Sequence, residues 1–255
     1  MSGILEELEL EQPVVVTTDR LSQLAREYGV RTPPKILASR LRERGWLLPT
    51  GHAGVWEFAP AAVAGPHSRN DPVTPLRAFL ADRPDARCGL TFQAGAWAHG
   101  AADRVPSHLE VAASADIVRQ LPSAVAGSVF EPRLDYQILR AVPVLAPESI
   151  VVHMAARPAA VRSWSSALEW LPELAAIIAS PRIESEFQGR PASVRTRTAY
   201  LLQGLRPDLA ASWRDGRPSG KTWFGPRGTL RRHDAVWQIA DTVLPFDPRD
   251  LRPAV

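Results

Sequence analysis

The stretch from Thr17 to Pro60 is punctuated so tightly that few folds accommodate it. Thr17, Thr18 and Asp19 offer side-chain oxygens for a helix N-terminus at Arg20–Tyr28, where Leu21, Leu24, Ala25 and Tyr28 share one face and Gly29 supplies a stop. Pro34 suits a first helical position and opens a second helix, Lys35–Arg44, closed by Gly45. At ~100° per residue Leu37 and Leu41 fall together, while Lys35, Ser39 and Arg42 lie opposite and Arg40 and Arg44 flank them. GWLLPT and GVWEFAP follow, rich in aromatic and branched residues and separated by GHAG, which predicts a hairpin. Upstream, Ile4, Leu5 and Leu8 mark a short acidic helix that Pro13 ends, and Val14–Thr17 reads as extended. Helix, helix, turn, helix, hairpin is the order of a winged helix-turn-helix.

Charge divides the same module. Residues 1–19 hold Glu6, Glu7, Glu9, Glu11 and Asp19 with no Lys or Arg, whereas residues 20–44 hold Arg20, Arg26, Arg31, Lys35, Arg40, Arg42 and Arg44 against Glu27 and Glu43. A net charge of +3 does not by itself imply nucleic acid, so the argument rests on this distribution. In a winged helix the last helix fits the major groove, where Arg and Lys bond guanine edges or phosphates and Ser bonds either, while the hairpin touches flanking backbone. The candidate DNA contacts are Lys35, Ser39, Arg40, Arg42 and Arg44, with Arg31 before the helix and His52 in the hairpin. The plain alternative is a solvated basic face that keeps the chain soluble.

A second break comes at Ala61–Pro75, AAVAGPHSRNDPVTP, where Gly, Pro, Asn and Ser interrupt any period. The expected organisation is therefore a winged-helix domain at 1–62, a linker at 63–72, and a larger mixed α+β domain at 73–255. Within the latter, helices are expected near 74–82, 90–98, 147–156, 163–178 and 193–205, and strands near 108–113, 126–131, 221–225 and 235–244. The fold class is α+β.

Chemistry is sparse in the second part. Six histidines show no paired ligand spacing, and Cys88 is the only cysteine, which excludes a disulfide framework or a multi-cysteine metal cage. GPRG at 225–228 lacks the Lys-Ser or Lys-Thr of a phosphate loop, and nucleophile-elbow spacing is absent. Glu184 and Glu186, near Pro181, read as dipole partners of a helix start. No catalytic site, metal or cofactor is expected. What stands out is Arg190, Arg195 and Arg197 in GRPASVRTRTAYLLQGL, where Val194, Thr198, Leu201, Leu202 and Leu205 form an approximate apolar stripe. Either these arginines are a solvated face, or they belong to a surface that meets a partner protein, RNA or DNA.

The acidic start, MSGILEELELEQ, lacks the basic region and apolar stretch of a secretory signal, and no apolar run reaches the ~20 residues of a membrane helix. A cytoplasmic location away from the membrane is the expectation.

PVVVTTDRL (13–21), ASRLRERGWLL (38–48), GVWEFAP (54–60), DPVTPLRAFLA (71–81), GAWAHG (95–100), PESIVVHMAARPAAVRSW (147–164), GRPASVRTRTAYLL (189–202) and AVWQIADTVLP (235–245) occur in order along nearly the whole chain. In this order the chain resembles the AbiEi-type antitoxins of bacterial abortive-infection toxin–antitoxin pairs, of type IV, including mycobacterial relatives paired with nucleotidyltransferase toxins. The resemblance implies an N-terminal winged helix that represses its own operon at promoter repeats, and a C-terminal domain that supplies antitoxicity. It implies promoter DNA and a cognate nucleotidyltransferase toxin as partners, and a monomer or weak dimer that is cooperative on DNA. A winged-helix transcription factor whose second domain senses a small ligand, without a toxin partner, is the alternative.

Overall fold

The computed structural model describes residues 2–61 and 71–254. The linker expected at 63–72 lies, apart from Asp71 and Pro72, outside these residues. The chain divides into two compact units, Met1–Arg87 with Gln120–Val125, and Cys88–Arg119 with Ala126–Val255.

The first unit runs α1 (Ser2–Glu11), β1 (Val15–Thr17), α2 (Thr18–Glu27), α3 (Pro34–Glu43), β2 (Leu47–Pro49), β3 (Val55–Phe58) and α4 (Thr74–Asp82). Thr17 caps α2 by accepting from Arg20 N at 3.1 Å. Gly29 and Gly45 end α2 and α3 at φ of 61° and 77°, conformations that side-chain-bearing residues rarely take. The sheet has the order β1-β3-β2, with Val15 opposite Glu57 and Leu47 opposite Phe58 in antiparallel register. Ile4, Leu8, Val16, Leu21, Leu24, Leu37, Leu41, Leu47 and Phe58 form its core. This order is consistent with the winged-helix expectation. Composition groups residues 74–82 with the second domain, but α4 packs on β1 and β3 with Leu76 and Phe79 fully buried.

The second unit contains β4 (Cys88–Leu90), α5 (Phe92–Ala98), β5 (Leu109–Ala113), α6 (Ala115–Val118), β6 (Val125–Val129), β7 (Gln137–Leu139), β8 (Val142–Val144) and α7 (Pro147–Ala156). Four further helices follow, α8 (Trp164–Ala176), α9 (Ser180–Phe187), α10 (Ala192–Leu202) and α11 (Pro207–Ser212), then β9 (Thr222–Phe224), β10 (Arg232–Asp234) and β11 (Ile239–Asp241). The larger sheet has the order β6-β5-β4-β8-β7, in which β4 pairs parallel with β8 and antiparallel with β5. A smaller sheet has the order β10-β11-β9; the strand expected near 235–244 is the shorter β11, and β10 precedes it. Gln238, at φ 52°, turns the chain just before it.

Helix α7 organises this unit. Pro147 to Ala155 are all buried, and α5, α9 and α10 pack around it, as expected for a helix without a polar stripe. Its buried polar groups are paired: Glu148 accepts from Ala179 N at 2.9 Å and Ser149 donates to Glu186 Oε2 at 2.6 Å. Cys88 is buried, and burial pushes its thiol up to about 11, in keeping with a packing role.

Candidate nucleic-acid interface and the second-unit sites

Leu37, Ala38 and Leu41 fix the rotation of α3 by turning inward. That rotation leaves Lys35, Ile36, Ser39, Arg40 and Arg42 exposed, with Arg31 before the helix and Arg44 after it exposed as well. Arg31, Lys35, Arg40, Arg42 and Arg44 form no ion pair or side-chain hydrogen bond among the described residues. By contrast, Arg20 on α2 is spent on Glu11. Five unpaired cations against one carboxylate, Glu43, thus occupy one helix and its two flanks. Glu43 is engaged by the Ser39 hydroxyl at 3.2 Å. Arg40 and Arg42 stand in the last turn, where the helix dipole favours positive charge, so the cluster costs the helix little. His52 differs from the rest: Nε2 meets Asp82 at 3.1 Å and the ring stands edge-on to Phe79. It braces the hairpin against α4.

The three second-unit arginines have separate fates. Arg190 is only 12% exposed. It is bonded to the buried Glu186 and to Glu131 O, and its guanidinium lies 4.3 Å from the Phe130 ring. Glu186 also accepts from Arg133 N, Leu134 N and Ser149. It sits at the C-terminal end of α9, so the expected helix-start role is replaced by that of a buried acceptor joining α7, α9 and the loop after Phe130. Arg195 pairs with Glu184 at 3.1 Å and covers Phe187, while Trp213 Nε1 donates to the same carboxylate. Arg197 has a buried Nε with no partner among the described residues. The approximate stripe is absent because α10 is buried on most sides, from Val194 through Leu202.

Sequence reasoning passed over Glu110. It is buried on β5 beside a cavity of about 270 Å³ that His108, Arg162, Ser163 and Trp170 also line. Glu110 Oε2 accepts from Gln93 N at 2.9 Å and from Ala94 N at 3.4 Å, in the first turn of α5. Burial nonetheless pushes its carboxyl up to about 7, against the opposing pull of those N–H groups and of Arg162. The visible signal is a carboxylate inside the apolar run LEVAA.

Against this geometry, residues 86–204 match the family model described as the AbiEi antitoxin C-terminal domain. That stretch is similar to the C-terminal domain of AbiEi antitoxins. A crystal structure of the RV2827C protein from Mycobacterium tuberculosis superposes with a TM-score of 0.79 at 26% sequence identity, over 95% of this chain and 91% of that one. Among curated proteins no match is found.

The AbiEi match runs from β4 to the end of α10 and so includes the five-stranded sheet, α7, Glu110 and all three arginines. The match supports an antitoxin role in a toxin–antitoxin system. Among the described residues no group of His, Cys, Asp and Glu is placed to hold a metal ion, and no helix is long and apolar enough to cross a membrane.

Proposed function

We propose that this AbiEi protein is a DNA-binding antitoxin that represses its own operon and counteracts a nucleotidyltransferase toxin, with the first unit reading the promoter and the second supplying antitoxicity. The observation that carries the DNA half is the set of unpaired cations on α3 and its flanks, held outward by Leu37 and Leu41. Unpaired guanidinium and ammonium groups meet phosphates or guanine edges without first breaking an internal ion pair. The family match supports the antitoxin half. Paired promoter repeats would each take one copy, so monomers or weak dimers would assemble cooperatively on the DNA.

The test uses the full chain, its own promoter and the toxin gene beside it. Lys35, Arg40 and Arg42 are each changed to Ala, singly and together. Each substitution is expected to cost roughly 1–3 kcal/mol at a base-reading position, and each lost phosphate contact should lower the salt dependence by about one in log–log slope. The triple variant is expected to lose promoter binding yet still rescue growth when co-expressed with the nucleotidyltransferase. Unchanged promoter affinity in the triple variant would rule out α3 as the reader, and loss of rescue with the fold intact would place antitoxicity in the first unit.

A further inference from the structure

A cavity of about 600 Å³ in the second unit is lined by Ser128 of β6, Arg157 at the end of α7, Arg197 of α10, and Gly225 after β9. It contains two arginines and no carboxylate. Arg157 is exposed and unpaired among the described residues, and the buried Arg197 Nε has no partner. A buried donor left unpaired is costly, and here two arginines line one space with no carboxylate among the described residues to pair with either.

The hydroxyl of Ser128, which lines the same cavity, is held by a buried relay. His153 lies between the Phe92 and Phe130 rings, at 4.2 and 4.3 Å, with Nδ1 2.9 Å from Thr91 Oγ1 and Nε2 2.9 Å from Ser128 Oγ. Burial, with Arg157 and Arg190 nearby, keeps the imidazole neutral. Thr91 is fully buried, and Nδ1 is the one acceptor its hydroxyl meets among the described residues, so Thr91 donates to Nδ1. The single ring proton then sits on Nε2 and is donated to Ser128 Oγ. That arrangement denies Ser128 a base, so it is not an activated nucleophile. It leaves the Ser128 proton free to be given to an occupant of the cavity.

We propose that this cavity binds a phosphate group, free or as the monoester of a small molecule, through Arg157, Arg197 and the Ser128 hydroxyl. Every free polar side-chain group is a donor, which selects an anion. Donors from three different elements suit a tetrahedral oxyanion better than a planar carboxylate. The volume leaves room for more than phosphate itself, yet no aromatic ring lines the wall for a base to stack upon. Recognition therefore rests on the phosphate. Desolvation already lowers the Arg197 pKa, and a bound anion would oppose that.

Calorimetric titration of the full chain with inorganic phosphate, AMP, adenosine and acetate tests this. Phosphate and AMP are expected to bind saturably, adenosine and acetate to bind at least 10-fold more weakly. Tighter binding of AMP than of phosphate would identify a monoester as the ligand, and equal binding would identify the free ion. Arg157→Ala and Arg197→Ala should each weaken phosphate binding at least 10-fold, and Ser128→Ala several-fold, whereas Arg214→Ala, an exposed cation outside the cavity, should not. Should Arg197→Ala fail to fold, the exposed Arg157 decides the matter. Absence of saturable phosphate binding, equal affinity for acetate, or an unchanged dissociation constant in Arg157→Ala would overturn the proposal.

Discussion

Replacing Glu110 with glutamine removes a titrating group while keeping its shape, and the structure fixes both the sign and the size of the result. The ordinary value for this carboxyl is 4.5, and burial raises it to about 7 in the folded chain. The native state therefore holds the proton more tightly than the unfolded state does. The stability this contributes is complete below pH 4.5 and is lost as the pH rises through 7. One pKa unit is worth about 1.4 kcal/mol, so the whole loss is about 3 kcal/mol, of which about 2.5 kcal/mol falls between pH 5 and pH 8. The amide of the variant does not titrate. The acidic groups held low by arginine, Asp208 by Arg206 and Asp247 by Arg249, lose their stabilisation in the opposite direction at lower pH. They are common to both proteins and cancel in the difference. Urea unfolding of wild type and Glu110→Gln at half-unit steps from pH 5 to 8 reads this difference directly. Tryptophan fluorescence is a suitable probe, because six of the eight tryptophans belong to the second unit. The wild type should lose ground to the variant steadily as the pH rises. A difference constant to within about 0.5 kcal/mol would mean that Glu110 titrates as an ordinary carboxylate, and the burial argument would fail.

Two further substitutions separate internal from surface chemistry. Arg190→Ala strips the partner from the fully buried Glu186 and should cost about 3–5 kcal/mol, while Arg195→Ala breaks a half-exposed pair and should cost under about 1 kcal/mol; thermal unfolding of the two variants checks the ordering, and equal losses would contradict it. Gly204→Ala would drive a methyl group into the backbone carbonyls of residues 248–251, 2.6 Å from Leu251 O and 3.1 Å from Arg249 O. It should destabilise by about 1–3 kcal/mol or more and raise amide exchange in that C-terminal segment, and unchanged exchange there would refute the contact.

The first unit was legible because its instructions are local. A capping threonine, two positive-φ glycines, a proline at a helix start and leucines four apart each act within one turn of chain, and the structure uses all of them. The second unit encodes little at that range. Strands β4, β7, β8, β9, β10 and β11 are three residues each, too short for alternation to register. Helices α9 and α11 begin at Ser180-Pro181 and Pro207, and a proline reads equally as a loop or as a helix start until the following residues are seen to pack. Helix α7 has no stripe because neighbours cover it on every side, so its apolar run says "buried" without saying by what.

Arg190, Arg195 and Arg197 show why the site was harder to read than the fold. Within eight residues of sequence they are the same chemistry, and a helical wheel places them only relative to one another. What distinguishes them comes from far along the chain. Glu131 O and the Phe130 ring, some sixty residues earlier, draw Arg190 inward, and Glu184 on α9 occupies Arg195. Among the described residues nothing answers the buried Nε of Arg197, a residue that lines the cavity with Arg157 and Ser128. An unpaired donor is a property of the finished packing and leaves no pattern in the sequence. On α3 the same rule works in reverse. The local wheel already sends the cations away from Leu37 and Leu41, and no distant carboxylate returns to meet them, so their availability could be read from ten residues alone. The two cationic sites thus differ in how they are made: the α3 face is set by helix periodicity, and the Arg197 cavity by the convergence of α7, α10, β6 and the turn at Gly225. A substitution that unpacks α7 should therefore erase the cavity while leaving the α3 face intact.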